Sequence, residues 1–388
     1  MTKHHRRRRR RPQFRQYAKP GAPPGEFALD PQAAAPKVRA IAYGPDDFEE
    51  LELDEFSAIG ELLQKFAVTW INVEGVGHED TIRRLGGVFQ LHPLAMEDVV
   101  QVHQRAKVEQ YGQQAFIVVR MPYGVNSHLE TEQVSMFVGP KFVLTFLEDP
   151  GDVFESVRVN LRGAAGRIRS SGSGYLAYAL LDAAVDAYFP LIETFGERMD
   201  ALEDAVIDFP SKQSISEVHD AKHDLRTLRR AVWPLREALN SLYRDVSPLF
   251  DDETRIHLRD CYDHVVQIID MVETYRELGA DLTDLYLSSL STRMNEVMRV
   301  LTIIATLFMP LGFITGLYGM NFDPNVSQFN MPELGWRWGY PFALALMAAT
   351  TIGMLLFFRR RGWLGGLTPE KRAADAAQTS QESPNGGE

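Results

Sequence analysis

The sequence predicts an α+β domain, a mixed sheet with helices, followed by long stalk helices and then two C-terminal transmembrane helices. Three observations carry that prediction. Short runs rich in β-branched and aromatic residues are confined to residues 37–165. Past the Ser170–Gly174 cluster those runs stop and long helical periodicity takes over. Near the C-terminal end lie two long apolar stretches without a charge.

The first element is a basic tail. His4 and His5 precede Arg6 through Arg11 in a chain of 388 residues whose overall net charge is nevertheless negative, −11. Such a run is ordinarily a solvated tail. Contact with nucleic acid or anionic lipid is the alternative, but no aromatics interleave it and no reader module follows, so no nucleic-acid partner is expected. No apolar h-region follows either, which argues against a signal peptide. Residues 13–36 are Pro/Ala/Gly-rich, and residues 1–36 are expected to be a disordered tail and linker. The lone cysteine, Cys261, excludes a disulfide framework or a multi-cysteine metal knuckle and fits a reducing compartment.

Residues 37–170 carry the expected cytosolic α/β domain. Strands are predicted at 38–43, 66–73, 115–121, 132–139 and 142–148, and helices at 54–65 and 79–91. Residues 171–250 are expected to form antiparallel helices. One runs from about Tyr175 to Ile207 and stops before Pro210; the next runs from about Ser214 to Tyr243, with Pro234 a candidate kink. From Asp251 no proline occurs until Pro310, and Gly279 is the only glycine before Gly312. A single helix is therefore predicted, a stalk over 251–299 continuing into the first span, ~65 residues and ~100 Å long. A helix of that length needs packing partners, so oligomerisation is expected.

The spans are 300–318 and 340–358, joined by a loop at 319–339 and followed by a basic end and tail at 359–388. Nineteen helical residues reach ~28 Å, close to a bilayer core. Arg293 and Arg299 flank the first span and Arg359, Arg360 and Arg361 the second, whereas the loop has only Arg337. By the positive-inside rule both termini face the cytoplasm, with Trp336, Trp338 and Tyr340 at the outer interface and Trp363 at the inner one.

On the first span Asn295, Met298, Thr302, Ala305, Met309, Gly312 and Gly316 recur in steps of three and four, which puts them on one face. Small, weakly polar residues there suit close helix packing in lipid. They equally suit a pore lining around a symmetry axis, and periodicity leaves both open. The seam contains no carboxylate. Stripping water from Mg2+ demands several oxygen ligands, so a neutral seam ending in Asn321 suits a cation that keeps its waters. No GxxxxGK[ST] is present, so transport powered by ATP hydrolysis is not indicated and movement would be downhill. His219 and His223, four apart without an HExxH, and His257 and His264 read as solvated helix positions.

The motif Tyr-Gly-Met-Asn-Phe at 318–322, with HPLAMEDV (92–99), VHQRAKVE (102–109), WPLREALNSLYRDV (233–246), NEVMRVLTIIATLFMP (295–310), MPEL (331–334) and WGYP (338–341), resembles the CorA family of magnesium/cobalt transporters. The likeness covers roughly residues 37–363. It implies a funnel-shaped homopentamer in the plasma (inner) membrane, a passive, non-enzymatic Mg2+ and Co2+ channel whose only cofactor is Mg2+, as substrate and regulatory ligand. It implies a selectivity filter of Gly319, Met320 and Asn321, and pore-lining or gate positions at Asn295, Met298, Leu301, Thr302, Met309 and Gly312. It also implies regulatory Mg2+ at Glu97, Asp98 and Asp260, bridging neighbouring subunits when cytosolic Mg2+ is plentiful. Gly312 replaces a threonine of some relatives, and the loop at 323–330 is longer than in compact members. The alternatives are a Zn2+ or Ni2+/Co2+ transporter of this fold, or a membrane-anchored signalling or scaffold protein.

Overall fold

The alternation of side chains along the strands builds one sheet with two buried faces. The computed structural model describes Phe27 and residues 33–364, except 54, 126–127, 209, 246, 324 and 328. The arginine run and the tail beyond 364 lie outside the described residues. Two units are present, residues 1–286 and 287–388.

In the first unit, β1 (Lys37–Tyr43), β2 (Phe48–Glu52), β3 (Val68–Glu74), β4 (Lys107–Tyr111), β5 (Gln114–Val125), β6 (His128–Gly139) and β7 (Phe142–Leu147) form a sheet in the order β2-β1-β3-β7-β6-β5-β4. Among the described residues only β3 and β7 pair in parallel, so the sheet is mixed as expected. The period of two is visible on β5, where Ala115, Ile117, Val119 and Met121 enter one core and Phe116 and Val118 the other. Helices α1 (Ser57–Lys65), α2 (Glu79–Phe89) and α3 (Pro93–Val100) cover the second face. Helices α4 (Glu155–Arg162), α5 (Ser173–Asp186), α6 (Tyr188–Asp208), α7 (Lys212–Arg244) and the first part of α8 (Asp252–Tyr318) build the other core.

The two strands that the residue pattern does not announce, β2 (FEELE) and β4 (KVEQY), are the sheet's edges. Charged side chains on an edge strand discourage further pairing, and they also erase the apolar alternation. The expected helix from 175 to 207 is two helices, α5 and α6, separated at Ala187. Pro190 supplies the reason: without an N–H it cannot bond back to the carbonyl of Asp186. Helix α7 continues through Pro234. Helix α8 is unbroken over 67 residues and passes through Pro310.

The second unit holds the remainder of α8, a one-turn 3-10 helix at Pro332–Gly335, and α9 (Gly339–Arg360). Among the described residues three helical stretches, α5 with α6, α8 and α9, are long and apolar enough to cross a membrane. In Ser173–Ile207, 44% of the most apolar segment is buried, and its α5 part packs on the sheet; that stretch is core. The corresponding shares are 0% for α8 and 6% for α9. Apolar surface of that extent is stable only in lipid or against other helices.

Candidate ion path and cation sites

The seam residues all lie on α8, so one helix sets their spacing. Asn295, Met298, Leu301, Thr302, Met309 and Gly312 are exposed in the single chain. Ile304, Phe308 and Phe313, on other faces, are exposed as well, so exposure does not choose among faces. Thr302 donates its hydroxyl to the Met298 carbonyl at 2.7 Å, which turns its oxygen lone pair outward as an acceptor. A Cβ added at Gly312 or Gly316 would meet nothing within 4 Å, so neither glycine is forced by packing inside the chain.

The helix ends in the filter motif. The Gly319 amide bonds the Thr315 carbonyl at 2.9 Å and the Met320 amide bonds the Leu317 carbonyl at 3.3 Å. Asn321 then leaves the helix, exposed, and its side chain has no recorded partner among the described residues. The following loop closes on Asp323, which accepts from the Asn325 amide at 2.9 Å and, through its carbonyl, from the Asn330 side chain at 2.8 Å. Trp336, Trp338 and Tyr340 are exposed at the start of α9, as interfacial aromatics would be.

The first unit carries the carboxylates. Helix α3 opens on Pro93, with His92 Nδ1 accepting the Leu94 amide, and presents Glu97 and Asp98 in its last turn. Asp98 Oδ2 accepts from Lys107 Nζ at 2.6 Å, and Lys107 also donates to Glu109 Oε1 at 2.8 Å. Glu97 Oε1 accepts from Gln101 Nε2 at 2.8 Å. Asp260 is exposed on α8.

A further cluster was not legible in the sequence. Asp182 and Asp186, one turn apart on α5, meet His264 of α8 with ligand atoms all within 4.8 Å of one another. His264 Nδ1 lies 3.7 Å from Asp186 Oδ1 and is buried without a hydrogen bond. Burial, then the charge of Asp186, pushes the Asp182 carboxyl up to about 6, against the opposing pull of His264. Asp260 adds to the same rise, so all three acids share one field. Hard carboxylate oxygens fit Mg2+, and the imidazole adds a donor that suits Co2+ or Zn2+. The one signal available in the sequence was two acids four residues apart in the apolar run YLAYALLDAAVDAYF. Their partner lies on another helix, which spacing cannot reveal.

The fold and these sites define a membrane protein with a carboxylate-bearing mixed-sheet domain ahead of its exposed apolar helices. The sequence profile of the family described as CorA-like Mg2+ transporter protein matches residues 66–360, and the chain belongs to that family. The cobalt/magnesium transport protein CorA of Thermotoga maritima is 44% identical over 350 residues, 89% of this chain and 98% of the relative. The complete structure of the CorA magnesium transporter of Methanocaldococcus jannaschii superposes with a TM-score of 0.69 at 22% identity, covering 84% of this chain and 98% of that one. The full-length CmaX protein gives a TM-score of 0.65 at 16% identity, over 84% of this chain and 97% of that one. The two structural likenesses show a shared fold.

Proposed function

We propose that the chain is a passive divalent-cation channel with Mg2+ as main substrate and Co2+ as a second one. It assembles as a homopentamer in the plasma membrane with both termini cytoplasmic. The observation that carries this reading is an acid-free seam on an unbroken helix that ends in Gly319-Met320-Asn321. Five Asn321 amides around an axis offer carbonyl oxygens to the water shell of a cation, and no anionic ligand removes that shell. Thr302 and the backbone exposed at Gly312 and Gly316 extend the same neutral lining inward. Membrane potential drives the ion at roughly 4.6 kcal/mol per 100 mV for a double charge.

Glu97, Asp98 and Asp260 act as the cytosolic sensor, with Asp182, Asp186 and His264 as a neighbouring set. A divalent ion bridging two subunits holds the ring closed; its loss leaves like charges facing one another. The deciding experiment is flux into proteoliposomes with a panel of divalent ions at controlled potential. Asn321→Ala should lose selective Mg2+ uptake by at least ten-fold; undiminished selective uptake overturns the filter assignment. Preference for Zn2+ or Ni2+ over Mg2+ in the parent protein overturns the choice of substrate.

A further inference from the structure

Asp98 does not stand open to solvent. Its carboxylate is 20% exposed and faces the Lys107 ammonium, itself 28% exposed, at 2.6 Å. The backbone behind it is fixed. Gln133, 2% exposed, donates from Nε2 to the Asp98 carbonyl at 2.7 Å, and the Gln104 amide donates to the Gln133 side-chain oxygen at 2.9 Å. The Asp98 backbone is therefore held in place by α3 and the sheet, independently of the lysine.

Lys107 is differently built. It heads edge strand β4 on a flexible four-carbon stem and has a second acceptor, Glu109, at 2.8 Å. Glu109 is anchored in turn by the Tyr111 hydroxyl at 2.8 Å, and Tyr111 stacks on His92 with ring centroids 4.5 Å apart. Burial alone would raise the Glu109 carboxyl, but hydrogen bonds from Lys107 and Tyr111 outweigh it and hold it below the usual range. The ammonium also lies 5.7 Å from the Phe116 ring. On leaving Asp98, Lys107 keeps one carboxylate and an aromatic face, so displacement leaves no bare buried charge. Two acids share one cation here, and the surplus negative charge favours a cation of higher valence.

We propose that Lys107 is a built-in counter-cation for Asp98, which a divalent ion must displace before it can use that carboxylate, and that this exchange sets the cation concentration at which the protein responds. The proposal rests on the sensor reading of Asp98 given above and adds the residue that tunes it. Lys107 is a positioning residue: it acts through Asp98 and not on the transported ion.

The test titrates Mg2+ against the full-length protein in nanodiscs, reading protection from limited proteolysis, with liposome flux in parallel. Lys107→Met should bring the protection midpoint to about five-fold lower Mg2+, the size expected for a partly exposed ion pair. Arg105→Met, which removes an exposed charge two residues away, should leave the midpoint within two-fold of the parent. Lys107→Arg should leave it unchanged or raise it, because a guanidinium can hold a carboxylate through two bonds. An unchanged midpoint in Lys107→Met, with protection lost in Asp98→Asn, overturns the lysine proposal and leaves the sensor standing. Full protection at the parental midpoint in Asp98→Asn overturns the sensor reading itself. An equal drop in Arg105→Met points to general field and overturns the exchange. If Lys107→Met does not fold, a lowered midpoint in Lys107→Arg overturns the proposal, and an unchanged or raised one supports it.

Discussion

Asp182→Asn isolates the electrostatics of the α5–α8 cluster. Burial, then Asp186, raises the wild-type carboxyl from its ordinary 3.8 to about 6. The folded protein thus binds this proton more tightly than the unfolded chain does. Stability from Asp182 is complete below about pH 4 and is withdrawn as pH rises through about 6. Taken at face value the difference is about 3 kcal/mol; screening at a partly exposed carboxyl reduces it to ~1–2 kcal/mol. Asparagine carries no charge at any pH, so the variant should escape that loss. In EDTA at pH 7.5 its melting temperature should exceed that of the parent by a few degrees, and the gap should close at pH 4. In Mg2+ the order should narrow or reverse, because a bound cation neutralises the wild-type acids and has less to hold in the variant. The assay is a thermal melt of the full-length protein across pH 4 to 8, with EDTA or MgCl2. Parallel melting-temperature curves for the two proteins in EDTA would refute the reasoning, since they would mean that Asp182 does not exchange a proton on folding.

Two further expectations concern the scaffold. Arg158 and Asp152, 4% and 2% exposed, form a buried pair that also receives Asn72 and the Phe154 amide. Asp152→Ala leaves Arg158 with Glu155 at 3.3 Å, and denaturant unfolding should show a loss of about 3 kcal/mol; a loss below ~1 kcal/mol contradicts the pairing argument. A Cβ on Gly174 would overlap the Leu249 carbonyl oxygen, a backbone atom that cannot turn aside. Gly174→Ala should therefore lower stability by about 2–3 kcal/mol in the same assay, and neutrality would show that the turn at 249 yields.

What the sequence made legible follows from range. Helix α8 announced itself because the scarcity of proline and glycine from Asp251 to Pro310 is local information, as is the Val/Ile/Phe content of β3, β5 and β7. Edge strands β2 and β4 escaped because their charges serve the sheet's border, a tertiary property. The break at Ala187 escaped because the apolar periodicity runs on across it, although Pro190, which cannot bond back to Asp186, was a local signal of it. The site shows the same division. Asn321 could be singled out from its place at the end of a span, whereas Asp98 and Asp260 look like any helix acids, and resemblance alone distinguished them. Lys107 against Asp98, and Asp182 with Asp186 against His264, required the fold, since each joins elements that only packing brings together.

The placement of charge within the chain bears on how an ion could be both sensed and passed. Every candidate carboxylate lies in the first unit, and the stretch of chain from Asn295 to Asn321, which carries the seam, has only neutral groups apart from Glu296 and Arg299 at its start. Those two residues pair with each other at 3.4 Å, so the entry is balanced. A site that senses Mg2+ must hold it long enough to report concentration, which calls for hard anionic ligands. A path that conducts must release the ion quickly, which calls for weak neutral contacts at several points. Carboxylates in the seam would turn the path into a trap, and a neutral sensor would not register the ion. Moving one acid across that boundary separates the two demands: Asn321→Asp should increase Mg2+ occupancy of the path and slow flux at saturating Mg2+. Faster saturating flux in the same proteoliposomes would refute the division, because tighter holding would then not limit conduction.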